Sequence, residues 1–337
     1  MVQLATKTLA AIDAALEADG GAKFRGLLKE EIAKLTDAFS TKEESFRGHL
    51  GASSIGRPCS RELWYTFHWA KKPTFKGAVL RLFNRGHLEE ARFSALLRLI
   101  GCEIWTHSPD GIQLRIHATS RHYGGSLDGI AVGVPDVAES LPVLVEYKTH
   151  NNKSFSNLLS EGVERAKWEH YVQMCCYGDS HNLTHALYLA VNKDNDQLYG
   201  EIVTIDRSVA QQHAKRAQEI IDCQEPPLKV NPSPGWYQCK FCDHHNMCHN
   251  FVYPEVNCRT CAHSTPTEDR GWVCELKNEP LTIPAQKAAC ERHIFNPSML
   301  NGIQILQADG TSMTYLRADG VTVRAGGTGM SSKALKG

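Results

Sequence analysis

One short stretch constrains this chain more than any other. Residues Leu141 to Lys148 form a compact apolar run that ends in charge, at Glu146-Tyr147-Lys148. Such a run predicts a buried strand emerging into a cleft. Glu146 and Lys148, two apart on a strand, point to the same face. Upstream, residues 125–133 predict a further strand, which carries Asp128 within Gly124-Gly125-Ser126-Leu127-Asp128-Gly129. Paired as a hairpin, the two strands bring Asp128 alongside, so that two carboxylates and an ammonium group meet at one cleft edge. Carboxylate pairs suit a hard divalent cation such as magnesium, which keeps several waters and takes phosphate oxygens in its remaining positions. Lys148 then stands where it can orient or help activate an attacking water.

The rest of the chain supplies helices and strands around that centre. Apolar residues at helical spacing, Phe24, Leu27, Leu28, Ile32, Leu35 and Phe39 among them, predict two amphipathic helices in residues 1–50, interrupted at Gly20-Gly21. Leu63 to Ile100 is again helical in pattern, with a break near Lys72-Pro73. Residues 112–118 predict a strand and Glu161 to Gly178 a helix. Ala186 to Val191 and Leu198 to Ile205 predict two strands joined through residues 192–196, and residues 207–222 another helix. Pro226, Pro227, Pro232 and Pro234 mark a linker, and the glycines beyond about residue 318 predict a loose tail. No internal repeat is visible.

Lysine plus arginine equals aspartate plus glutamate, 37 each, so no overall basic field advertises a nucleic-acid partner. A binder of that kind would have to concentrate its positive charge along one groove. No stretch approaches the roughly 18 apolar residues of a membrane span, and the first residues lack a secretion pattern, which predicts a cytoplasmic protein. In that reducing compartment, twelve cysteines point to metal ligation or buried thiols rather than disulfides.

Taken in order, the charged elements resemble the PD-(D/E)XK nucleases, and within them the RecB-like branch. Asp128 matches the aspartate, and Glu146 and Lys148 match the E-x-K element. His87, in Arg85-Gly86-His87-Leu88-Glu89-Glu90, matches an upstream histidine that ligates metal in the family, with Glu90 as the substitute where relatives use glutamate. Gln173-Met174-Cys175-Cys176-Tyr177 matches the downstream Q-x-x-x-Y element, whose Gln173 and Tyr177 would line a DNA groove. These elements span residues 55 to 205. The resemblance implies an α/β fold with a restriction-endonuclease-like core, a mixed central sheet flanked by helices. It also implies phosphodiester hydrolysis with magnesium or manganese held by Asp128, Glu146, the Tyr147 carbonyl and His87, and it is compatible with a phage origin.

Cys239, Cys242 and Cys248 form C-x2-C-x5-C without an adjacent fourth cysteine. The RecB-like nucleases with iron–sulfur clusters, AddB and the CRISPR-associated exonucleases among them, draw the fourth ligand from far upstream, and Cys59 stands at that place here. The resemblance therefore implies a 4Fe-4S cluster on Cys59, Cys239, Cys242 and Cys248. A zinc site completed by His244, His245 or His249, with Cys59 merely buried, fits the spacing too. Cys258, Cys261, Cys274 and Cys290 lie outside the resemblance and suit a small zinc module, in which His263 or His293 could replace a cysteine. Cys102, Cys175, Cys176 and Cys223 read as packing residues. Trp64, Tyr65, Phe67 and Trp69 read as helical core rather than base-stacking rings, while Lys71, Lys72 and Lys76 suit phosphate contacts.

The resulting organisation is a helical segment at 1–50, a nuclease core at 51–254, a cysteine-rich module at 255–300 and a partly flexible tail at 301–337. The expected activity is that of a DNA exonuclease on single-stranded or resected ends, with a recombination or replication protein as partner. Two rivals are a DNA-binding assembly module without catalysis, and a duplex-end recombination exonuclease whose cysteines hold zinc. Oligomeric state is not encoded in any of these features.

Overall fold

The computed structural model describes residues 2–35, 37–40, 46–116 and 122–337. A short strand β1 (Gln3–Leu4) precedes helices α1 (Thr6–Asp19) and α2 (Ala22–Ile32), which are separated at Gly20 and Gly21, both with positive φ. Strand β2 (Leu50–Gly51) leads to α3 (Ser60–Phe67), and after a break around Pro73 the long helix α4 (Gly77–Leu99) begins. Strands β3 (Glu103–Trp105), β4 (Tyr123–Gly124), β5 (Gly129–Val132) and β6 (Val143–His150) follow. Next come α5 (Asn152–Ala166), α6 (Trp168–Ser180), the hairpin of β7 (His185–Asn192) and β8 (Leu198–Thr204), and α7 (Arg207–Asp222).

Six of these strands form one mixed sheet in the order β1-β8-β7-β6-β5-β3. Only β6 and β7 are parallel, and their crossover is the α5–α6 pair; every other neighbour is antiparallel. Alternation along β6 divides the core. Val143, Val145 and Tyr147 face α1, α2 and α4, whereas Leu144 faces the side covered by α3, α5, α6 and α7. Glu146, Lys148 and His150 share the parity of Leu144, so the polar residues of β6 point toward α6. No helix among the described residues is long and apolar enough to cross a membrane.

Several elements differ from their sequence pattern. Residues 112–116 make only isolated bridges, His107 with Gln113 and Arg115 with Ser126, instead of a strand, and residues 117–121 lie outside those described. The helix read from Glu161 to Gly178 is two helices. The first starts earlier, where the Asn151 side chain accepts from the Ser154 N–H at 2.9 Å. It bends at Gly162 (φ 73°) and stops at Lys167, whose backbone is not helical.

The C-terminal third packs against the core. Short helices α8 (Tyr237–Lys240) and α9 (His245–His249) carry the first cysteine group. A small sheet of β9 (Ser264–Pro266), β10 (Trp272–Cys274) and β11 (Glu279–Pro280), with α10 (Ile283–Ala288), carries the second. Trp272 belongs to the main core, so the module read as separate from residue 255 onward shares that core. The tail expected to be loose instead forms a three-stranded antiparallel sheet of β12 (Ile303–Ala308), β13 (Ser312–Arg317) and β14 (Thr322–Gly326), followed by α11 (Ser332–Lys336). Its glycines occupy positive-φ turn positions, Gly310 and Gly320 between strands, and Tyr315, Val323 and Phe295 close a small core of their own.

Candidate active site

The site is set by strand register. Gly129 pairs with Val145 across the antiparallel β5–β6 ladder, so Asp128, one residue earlier, falls beside Glu146 and Tyr147. The Tyr147 N–H donates to Asp128 Oδ2 at 2.8 Å, fixing that carboxylate at the sheet edge. Glu146 is 0% exposed, and its Oε1 accepts from the Lys148 ammonium. Its other oxygen, Oε2, is buried with no hydrogen-bond partner. Gln173 on α6 stands close enough to ease the charge on Glu146 without closing a hydrogen bond to that oxygen.

The electrostatics follow from this crowding. Burial, then the charge of Glu146, drives the Asp128 pKa well above the usual carboxylate range. Burial also raises Glu146, against the pull of Lys148. Burial works against the charge of Lys148, but Glu146 and Asp128 outweigh it and its pKa rises. Glu90, on α4, pushes all three in the same direction as the other carboxylates do. His87 lines the same cavity as Glu90 and Asp128, and its Nδ1 lies 3.5 Å from Glu90 Oε1. The charge of Glu90 reaches the strand carboxylates, and His87 shares the cavity of Asp128.

Gln173 and Tyr177 are both buried, at 6% and 2% exposure, beside Glu146 rather than along an open groove. Tyr177 packs on the loop that carries Asp128. A Cβ at Gly125 would stand 2.5 Å from the Tyr177 hydroxyl, which is why that loop has glycine there. The Tyr147 side chain turns to the opposite face, stacked on Phe93, leaving only its backbone at the site.

Sequence reading missed a polar network that continues from Lys148. His150 Nε2 and His170 Nδ1 both meet the Tyr188 hydroxyl, at 2.8 and 3.0 Å, and His150 Nδ1 meets Ser154, which accepts from Lys167 at 2.6 Å. Burial, then the neighbouring lysines, holds the His150 pKa down at about 4. Two signals were available: His150 extends the period-2 face of Glu146 and Lys148, and His170 lies one helical turn before Gln173.

Both cysteine groups converge. Cys59, Cys239, Cys242 and Cys248 line one small cavity with Arg61 and Lys229, although Cys59 is about 180 residues from the others in sequence. Cys59 caps α3 by accepting from the Glu62 N–H at 3.4 Å, and Cys242 accepts from the His244 N–H at 3.4 Å. Burial pushes the Cys242 thiol up to about 12, with Glu62, Cys59 and Cys248 adding to it. Cys258, Cys261, Cys274 and Cys290 line a second cavity together with His263 and His293. Among the described residues, no group of three or more His, Cys, Asp or Glu side chains is placed so that it could hold a metal ion.

No protein-family profile matches the chain. No curated protein matches it in sequence either. Among solved structures it is similar to LHK-Exo in complex with dAMP, at 14% identity over 51% of this chain and 86% of that one, with a TM-score of 0.37. The alkaline exonuclease LHK-Exo from Laribacter hongkongensis gives 15% identity over the same shares, with a TM-score of 0.36. The structure of SSO0001 gives 15% identity over 65% of this chain and 92% of that one, with a TM-score of 0.35. Likenesses at these scores assign neither an activity nor residue roles.

The donor types of the acidic site suit a divalent ion. Asp128 and Glu146 are buried and the partly exposed Glu90 stands beside them, three carboxylates with one ammonium, Lys148, and with one oxygen of Glu146 buried and unpartnered. One or two carboxylates are what magnesium takes from a protein when substrate phosphate and water fill its other positions. The thiol groups offer the right donors for softer metals, with backbone N–H groups already aimed at Cys59 and Cys242.

Proposed function

We propose that the protein is a magnesium- or manganese-dependent nuclease that hydrolyses phosphodiester bonds of DNA, acting as an exonuclease on single-stranded or resected ends. The observation that carries this reading is the unbalanced carboxylate set: Asp128 and Glu146 held together by strand register, Glu90 beside them, and one lysine. Burial works against ionisation of Asp128 and Glu146, and a bound cation would favour their charged forms. When bound, the ion supplies positive charge to the phosphate and acidifies water. Asp128, Glu146, the Tyr147 carbonyl and His87 or Glu90 are the groups that would hold it. Lys148 orients the attacking water and meets charge developing on the phosphate. Gln173 and Tyr177 hold Glu146 and the Asp128 loop in place. Hydrolysis forms a bond from water oxygen to phosphorus, breaks the bond to one sugar oxygen, and leaves the water proton on that departing oxygen.

We assign Cys59, Cys239, Cys242 and Cys248 to an iron–sulfur cluster, supported by four thiols around one cavity beside Arg61 and Lys229, whose cations would offset a thiolate-bound cluster. Cys258, Cys261, Cys274 and Cys290 are assigned to zinc on their shared cavity and mixed spacing.

The test is cleavage of end-labelled DNA by air-free protein with and without magnesium or manganese. Wild type should cleave only with the ion, and Asp128→Asn and Glu146→Gln should each lose at least about 100-fold in rate while melting as folded proteins. DNA binding with no cleavage under either ion would replace the nuclease with a binding module. Cleavage by Glu146→Gln at the wild-type rate would remove Glu146 from the mechanism.

A further inference from the structure

We propose that the exposed start of α4, together with Phe75, is a stacking platform for the bases of single-stranded DNA leading to the Asp128–Glu146 site. This rests on the nuclease reading for its substrate and on independent observations for its place. Trp64, Tyr65, Phe67 and Trp69 are buried and offer no ring to solvent. Phe75 and Phe83, by contrast, are 50% and 45% exposed, with ring centroids 5.0 Å apart and planes at 82°. Leu80 and Leu82 are also exposed around them. An apolar patch of this kind on a surface is a binding site more often than an accident.

Charge selects the occupant. From Leu63 to Leu88 the chain contains Lys71, Lys72, Lys76, Arg81 and Arg85 and not one aspartate or glutamate, although the charges balance overall; Lys71 turns to Asp243 and Arg85 to the Lys193 carbonyl, so Lys76 and Arg81 are the cations that flank the rings in sequence. Aromatic rings interleaved with cations are the surface that single-stranded nucleic acid uses, its bases on the rings and its phosphates on the ammonium and guanidinium groups. The helix aims this surface at the acidic site. Phe83, His87 and Glu90 stand at i, i+4 and i+7, on one face of α4. Seven residues of helix advance about 10 Å. That is about three base steps at roughly 3.4 Å each. The flank and far side of the helix are anchored, with Asn84 Nδ2 donating to the Ala38 carbonyl at 2.9 Å and Arg85 to the Lys193 carbonyl at 3.2 Å, so the platform keeps its direction.

The experiment measures binding by fluorescence anisotropy in EDTA, where no cleavage occurs, using full-length protein and three labelled probes: oligothymidine, an abasic strand of equal length, and a duplex. Wild type should prefer oligothymidine to the abasic strand. Phe75→Ala/Phe83→Ala should weaken oligothymidine binding by about 5- to 100-fold, erase that preference, and leave duplex binding and the melting temperature near wild type. Phe75→Tyr/Phe83→Tyr should retain it. The proposal is overturned if wild type does not distinguish the two single strands, if the double alanine variant binds oligothymidine normally, or if it loses all three probes alike. It is also overturned if the variant changes only self-association in sedimentation, which would make the patch a contact between copies. A protein that prefers stacked bases but cleaves nothing with either metal keeps the platform and loses the nuclease; cleavage with normal binding by the double variant does the reverse.

Discussion

Glu146 keeps its place in the core because Lys148 stands against it, and neither group would stay charged there alone. Breaking a buried ion pair from one side costs about 3–5 kcal/mol, since the remaining charge is left without a partner. Lys148→Met in EDTA should therefore destabilise the protein by about that much, while Lys148→Met/Glu146→Gln should recover part of the loss. Urea unfolding of the three proteins checks this, and equal midpoints for wild type and Lys148→Met would show that the pair holds nothing together. At this scale much of the site was legible. Asp128, Glu146 and Lys148 could be named from residue type and spacing, because a period-2 strand fixes which side chains share a face. Tyr188, which joins His150 to His170, could not, since it enters their network through the β6–β7 pairing and that pairing leaves no local pattern.

Elements with strong periodicity were also legible, and their ends were not. The β7–β8 hairpin and α7 follow their apolar pattern to within a residue or two. The crossover helices did not, because tertiary contacts decide where they bend. At Gly162 the backbone takes φ 73°, and the following N–H, of Val163, donates to Glu201 Oε2 at 2.8 Å, an oxygen that also accepts from the Tyr199 hydroxyl. A Cβ there would lie 2.6 Å from Val2 Cγ2. Gly162→Ala combines the strain of positive φ with that contact and should cost about 1–3 kcal/mol, read by thermal or urea melting. No loss of stability would mean that α5 can straighten without cost. Since α5 and α6 form the crossover that sets β6 beside β7, activity should fall with it.

Across the whole molecule, the C-terminal third is tied into the main core by Arg259, which is 1% exposed and whose hydrogen-bond partners among the described residues are neutral. Its guanidinium lies 3.8 Å from the Trp69 ring centroid and 4.9 Å from that of Trp272, and donates to the Phe67 and Gly48 carbonyls. Burial, then Arg270, lowers its pKa to about 9. Truncation after residue 254 should consequently destabilise the core by at least the roughly 3–5 kcal/mol that loss of a buried tryptophan costs. A truncated protein that melts with wild type would restore the boundary at 255. The proposed cluster would make the distant thiols a second tie. Serine is itself a good helix cap, so Cys59→Ser keeps the start of α3 and removes only the proposed sulfur ligand. It should lose iron and melt early to the same extent as Cys242→Ser in air-free preparations. Full iron content in Cys59→Ser would return Cys59 to the role of a cap.

By itself the sequence determined the strand that ends in Glu146 and Lys148, the helices with a clear apolar face, and the residue types able to meet a metal, since these depend on periodicities within a few residues. Tertiary structure alone decided which of them meet. It put Asp128 beside Glu146 through one strand register, brought Glu90 and His87 of α4 to the same cavity, and buried Gln173 and Tyr177. It gathered thiols from both ends of the core and folded a glycine-rich tail into a sheet. Those outcomes depend on burial and on contacts between residues far apart in the chain, where the free energy of packing outweighs any local preference.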